Sequence, residues 1–477
     1  MARTLDRNVW PGGALIVVAV AGFAAAVVAG WPGHFPPDAI FQLAQGRSGV
    51  FSFAHPPVMA WLLGLANRLT PDAGAFMVMD AALFFSGVAA LALAVGARWR
   101  AVLTLALLAA SPLVLIYQGL VVKDVFFADT MLAAFAAIAW AGRLWPKAGA
   151  RLVLCVLAIV LMLAAALTRQ NGAAAAAVGV LTLAWTAWAR AERGGRARAF
   201  IGVAAATAVL LAGAGVAAML AFQAHSDRKP EIAAQWMTVR IWDLSGAVHV
   251  DPALPLPILH RQAPDVERFV RGAAAPMFDP KSLDAMALRM EGQFDPKKVG
   301  PAVSDEWRRL ILKHPRLYLE TRWRDFWQVF GTPEVKACAP VLVGVDPGDP
   351  DTLADAGLKA RETDKDDWDS DYGQAFLGTP IFSHPFYAVL AAILLLWALW
   401  DVARGRPEMI AAVGLLAAAF VFAASFFVIT IACDYRYLYF LDVAAMAALV
   451  QRLAFRPASD REPRSRPRPK GRSDRRR

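Results

Sequence analysis

The stretch WPGGALIVVAVAGFAAAVVAGW, Trp10 to Trp31, places an uncharged apolar run between two tryptophans. A helix rises about 1.5 Å per residue, so about 20 such residues cross a hydrocarbon core of about 30 Å. The tryptophans stand where interfacial aromatics belong. Similar runs recur along the chain and predict ten spans: 13–30, 73–96, 101–118, 124–142, 152–168, 172–189, 200–222, 384–402, 408–432 and 437–452. Only 18% of the 477 residues are charged, against about 25% in soluble domains. With a mean hydropathy of +0.44, that excludes an ordinary soluble enzyme. The expected fold class is an all-α polytopic membrane protein of about ten transmembrane helices. A cleaved signal peptide is the other reading of the first run, since its flank is basic and small residues follow. Its length and the parity of the later spans favour a retained helix.

The net charge of +10 is partitioned. Residues 225–380 carry 25 Asp+Glu and 20 Lys+Arg, leaving 29 Lys+Arg against 14 Asp+Glu elsewhere. Alternating the loops puts Arg98/Arg100, Arg143/Lys147/Arg151, Arg190/Arg193/Arg196/Arg198 and Arg404/Arg406 on one side, together with both ends of the chain. The positive-inside rule makes that side cytoplasmic and predicts a cytoplasmic-membrane protein with both termini inside. The expected domains are an N-terminal transmembrane module (1–222), an extracytoplasmic domain (223–383), C-terminal transmembrane helices (384–452) and a disordered basic tail (453–477). The tail suits a topology anchor or adhesion to anionic lipid; it lacks the interleaved aromatics of a nucleic-acid binder. Cys338 and Cys433 both fall outside, and the sequence leaves open whether they pair.

The polar chemistry gathers in the outer loops, 31–72 above all. Pro37 suits the first turn of a short helix on which Asp38, Gln42 and Gln45 share a face. Asp38 is then either a reactive carboxylate or a charge placed favourably at a helix N-terminus. His55-Pro56-Pro57 precedes a helix too short to span, whose stripe of Val58, Trp61, Leu62, Leu65 and Leu69 suits the membrane interface. Lys123-Asp124 opens the fourth span. Arg169, in Thr168-Arg169-Gln170-Asn171-Gly172, is a charge with little freedom at the membrane surface, where it needs a partner. Arg436 lies in the turn Asp434-Tyr435-Arg436-Tyr437. These carboxylates and cations on one face suit an anionic lipid phosphate. The run Asp364 to Asp371 lacks the glycine and terminal glutamate of an EF-hand and reads as a solvated acidic loop. The spans themselves read as Ala/Leu/Val runs with polar residues at their outer ends, which disfavours a transporter or flippase of lipid-linked saccharides.

The pattern resembles the GT-C glycosyltransferases, membrane enzymes that take sugars from polyprenyl-phosphate donors. It is most similar to the branch of protein O-mannosyltransferases and lipid A aminoarabinose transferases. The residues that carry the resemblance are Pro37-Asp38 with Gln42, His55-Pro56-Pro57 with Trp61-Leu62, Lys123-Asp124, Thr168 to Gly172, and Asp434-Tyr435-Arg436-Tyr437-Leu438. Many relatives have Asp-Glu where Asp38 is followed by Ala39, and the lipid A branch usually has Lys where Arg169 stands. The resemblance implies a glycosyltransferase that inverts the anomeric carbon. Asp38 would be the general base. Arg169, Arg436 and Lys123 would hold the donor phosphate, and Gln42, His55 and Asp124 would orient the substrates. It implies no obligatory metal or other cofactor. The expected partners are the polyprenyl-phosphate sugar donor, a lipid, glycan or protein acceptor, and membrane lipids, with no nucleic acid.

Overall fold

The computed structural model describes residues 9–52, 56–226, 232–290 and 292–455. The basic tail from 456 onward, and His55, lie outside the described residues. The longer helices are α1 (Val9–Gly30), α2 (Pro37–Ser48), α3 (Pro57–Leu69), α4 (Gly74–Val95), α5 (Trp99–Ala109), α6 (Pro112–Tyr117), α7 (Lys123–Arg143), α8 (Ala148–Ala166), α9 (Gly172–Arg190) and α10 (Arg196–Gln223). Then follow α11 (Ile232–Val250), α12 (Pro296–Lys313), α13 (Pro315–Phe330), α14 (Asp364–Gln374), α15 (His384–Ala403), α16 (Ile410–Ile429) and α17 (Tyr439–Ala454). Among the described residues there is no strand, only isolated bridges such as His34 with Leu120 and Phe35 with Val345. The chain is an all-α polytopic membrane protein.

Nine helices among the described residues are long and apolar enough to cross a membrane, and they match nine of the ten expected spans. The tenth, 101–118, is not one helix but two, α5 and α6. Pro112 has no N–H to give the Leu108 carbonyl, and its ring would clash there. Ser111 takes over, meeting Leu108 O with its backbone N–H at 3.0 Å and its hydroxyl at 2.8 Å. Ser111 then caps α6 by accepting from Val114 N. The broken pair still follows α1 from end to end, with Gly12 beside Ala97, Gly22 against Ala109 and Gly30 backed onto Gly119. The two run parallel, so the broken segment covers the same depth as α1.

The bundle centres on α7, buried along nearly its whole length; α10 faces outward almost all round. Helix α7 packs against α4, α8, α9, α16 and α17. Lipid tails are as apolar as leucine, so close packing rather than removal from water holds such a helix. Accordingly Gly87 of α4 backs onto Leu132, and Phe127 stacks on Phe422 of α16 with centroids 4.4 Å apart. Helices α2 and α3 also cross at glycines, Gly46 against Gly64. The expected stripe on α3 points away from the protein: Trp61, Leu65 and Leu69 are exposed, while Met59 and Leu63 are buried.

Residues 223–383 contribute to two cores. One is built by α11, α12 and the segments between them around Trp242, Val266 and Val303. In the other, Val345, Leu353 and Leu358 pack with Phe35, Ile40 and Leu43 of the first loop. Cys338 and Cys433 form a disulfide across 95 residues, which answers the question the sequence left open.

The acidic run 364–371 is not a solvated loop. Thr363 and Asp366 form a capping box that starts α14. Spacing of i, i+3 then turns Asp366 and Asp369 inward, each 1% exposed, while Asp364, Asp367 and Asp371 stay outside. Between the inward pair sits His34, itself 1% exposed, with Nδ1 3.3 Å from Asp366 Oδ1 and Nε2 3.9 Å from Asp369 Oδ2. Burial pushes the Asp366 carboxyl up, but the nearby His34 ring and the Thr363 N–H and hydroxyl, both donating to Oδ2, outweigh it and hold the group well below its usual range. At its far end, α14 reaches the broken span, where the Tyr372 hydroxyl donates to Ala110 O at 2.7 Å.

Candidate functional site

The site forms where the first loop (residues 31–72), the start of α7, the α8–α9 turn and the start of the last span meet at one end of the bundle. Pro36 and Pro37 start α2 and place Asp38 in its first turn. Lys123 Nζ, from the first turn of α7, donates to Asp38 Oδ2 at 3.2 Å. Arg436 NH2 reaches the same oxygen at 3.1 Å from 398 residues further along the chain. Its turn, Tyr435–Leu438, is a 3₁₀ segment capped by Asp434, whose carboxylate accepts from Arg436 N at 3.2 Å and Nε at 2.6 Å. Arg436 Nε also lies 4.0 Å from Asp124 Oδ2.

Asp124 pairs with Arg169, and both are buried. Aromatic rings enclose the Arg169 guanidinium, with its carbon 5.2 Å from the Phe426 ring centre, 5.5 Å from Tyr437 and 5.6 Å from Phe422. Burial pushes Arg169 down, to about 10, against the pull of Tyr437 and Asp434. The cluster therefore holds three cations, Lys123, Arg169 and Arg436, against three carboxylates, Asp38, Asp124 and Asp434. The charges of this set that are withdrawn from water, Lys123, Asp124, Arg169 and Arg436, persist there only when matched.

Five of the seven residues expected from the sequence meet here: Asp38, Lys123, Asp124, Arg169 and Arg436. Gln42 lies one turn beyond Asp38, 1% exposed, and neither amide atom has a hydrogen-bond partner among the described residues. His55 lies outside the described residues. No group of three or more His, Cys, Asp or Glu that could hold a metal ion occurs among the described residues.

Sequence reasoning missed the ionisable residues inside the spans, and here the structure corrects it: polar groups do not sit only at the outer ends. Asp80 of α4 and Asp129 of α7 are both buried and lie close enough to interact. Gln118 Nε2 joins them, 2.9 Å from Asp129 Oδ2 and 3.3 Å from the Tyr439 hydroxyl. Asp442 of α17 is buried with His384. Each was visible as a lone acid in an apolar run, which by itself signals a paired or functional group.

Fold and site define a multi-pass helical membrane protein with a partly buried, charge-balanced ion cluster at one end of its bundle. Comparison with family models, with curated proteins and with solved structures returned no match.

Proposed function

We propose that the protein is a glycosyltransferase that moves a sugar from a polyprenyl-phosphate donor to an acceptor hydroxyl. On this reading it works at the outer face of the cytoplasmic membrane, with both termini inside. The supporting observation is that two cations from distant parts of the chain, Lys123 and Arg436, meet on one oxygen of Asp38. Transfer from a lipid phosphate needs a base for the acceptor and positive charge for the leaving phosphate, side by side.

The resting cluster also suggests an order of events. The two cations occupy Asp38 Oδ2 until a donor phosphate draws them onto its own oxygens, which frees that oxygen for the acceptor proton. The acceptor oxygen then bonds to the anomeric carbon as the carbon–oxygen bond to phosphate breaks, inverting that centre. The proton goes to Asp38, and the electron pair leaves with the phosphate, whose added negative charge Arg436 and Lys123 meet. Arg169 holds Asp124 and so limits its competition for Arg436.

Purified protein given polyprenyl-phosphate sugars is expected to release polyprenyl phosphate. Asp38→Asn should cut that release by about 10²–10⁴-fold while the protein stays folded. Near-normal release by that variant would remove Asp38 as the base.

A second reading, a transporter or flippase of lipid-linked saccharides, draws support from the Asp80–Asp129 pair inside the bundle. Movement of labelled lipid-linked saccharide across liposomes without bond cleavage, lost in Asp129→Asn, would favour it over transfer.

A further inference from the structure

The turn that carries Arg436 is held from behind by groups the proposed transfer does not use. His384, the first residue of α15, has Nε2 3.0 Å from the Tyr435 carbonyl oxygen and Nδ1 2.9 Å from Asp442 Oδ1. The Tyr435 hydroxyl donates to the other Asp442 oxygen at 3.2 Å. The His384 and Tyr435 rings stack with centroids 4.0 Å apart. All three side chains are fully buried. A carbonyl oxygen can only accept, so Nε2 carries a hydrogen and donates it to Tyr435 O.

A buried polar group of this kind is weak evidence for stability, because well-packed apolar residues often replace such a pair without loss. Directional bonds do something packing cannot: they fix the rotation of the turn. Here one bond grips its backbone and one its side chain, at the residue directly before Arg436. The guanidinium that follows spans Asp434 and Asp38, at 2.6 and 3.1 Å. A rotation of the turn would lose one of those contacts.

We propose that His384 and Asp442 are positioning residues that act through Tyr435 to aim the Arg436 guanidinium at the phosphate of a lipid-phosphate ligand. The ligand's identity rests on the function proposed above; the link from His384 to Arg436 rests on the geometry alone.

The test is a double-mutant cycle on the purified full chain, with farnesyl phosphate as the probe and its affinity read by calorimetry. His384→Asn keeps an amide that can bond Asp442 in either direction but loses the bond to Tyr435 O. Tyr435→Phe removes one hydroxyl and carries the test if the buried histidine variant does not fold. Each is expected to weaken probe binding about tenfold alone and less than about twofold in an Arg436→Gln background, because contacting residues couple. An equal loss in both backgrounds overturns the proposal, as does unchanged binding in the single variants. If the wild type binds the probe with this coupling but releases no polyprenyl phosphate from sugar donors, the transferase reading fails and the positioning role stands. If the wild type does not bind the probe, both fall.

Discussion

Asp325 sets up a pH dependence that can be worked from the structure. Its carboxyl lies on α13, 1% exposed, with Trp242 Nε1 donating to Oδ2 at 2.9 Å. Two carboxylates share one cation here: Arg322 is bound by Asp243 and stands 3.9 Å from Asp325. Burial therefore pushes Asp325 up, to about 7, from an ordinary 3.8, and Arg322 only partly opposes it. Below pH 3.8 the group is protonated in folded and unfolded chains alike, and its contribution to stability is fully present. Between 3.8 and 7 the unfolded chain ionises while the folded one keeps its proton, so stability falls by about 1.4 kcal/mol per pH unit. Above 7 the loss is complete, at about 4 kcal/mol. Asp325→Asn cannot ionise, and its side-chain oxygen can still accept from Trp242. The stability difference between wild type and variant is therefore expected to change by about 4 kcal/mol between pH 4 and pH 8, in the variant's favour as pH rises. Hydrogen exchange in α11 and α13 of the full chain, measured across that range, reads the difference locally. Parallel curves for the two proteins would show that Asp325 titrates normally and refute the reasoning.

Removing the Cys338–Cys433 bridge with Cys433→Ser frees a 95-residue loop. The expected loss is about 2–4 kcal/mol, to be seen as easier denaturant unfolding of the segment before α15 than in the oxidised wild type. Gly46→Ala should destabilise by about 1–3 kcal/mol, because its Cβ would stand 2.7 Å from the Gly64 nitrogen where α2 crosses α3. The matched change Gly202→Ala, with nothing within 4 Å on α10, should be neutral or slightly stabilising in the same thermal-unfolding assay.

How much the sequence revealed depended on whether the signal was local. Spans are local, since an uncharged run of the right length declares itself, and nine stand as long apolar helices. The third span shows the limit: Ser111-Pro112 was in plain view, but composition averaged over 18 residues hides a break that needs Tyr372, 262 residues away, to cover the Ala110 carbonyl. The acidic run 364–371 failed for the same reason. Five aspartates in eight residues average to a solvated stretch, and only His34, from the far end of the chain, gives Asp366 and Asp369 cause to turn inward.

The site was legible where each residue was anomalous in its own setting. Arg169 in a tight turn and Lys123 at a helix start are charges that need partners, and the structure pairs both, with Asp124 and Asp38. What no local rule could supply was the pairing itself. Arg436 was expected to meet a ligand; it also closes on Asp38, Asp434 and the neighbourhood of Asp124. That convergence follows from α17 packing beside α7, a contact that the local sequence around Arg436 does not announce. The ion cluster is thus assembled by helix packing far from the charged residues in sequence. The same packing buries Asp80, Asp129 and Asp442, so the acids most easily dismissed as stray charges in apolar runs became the most deeply enclosed.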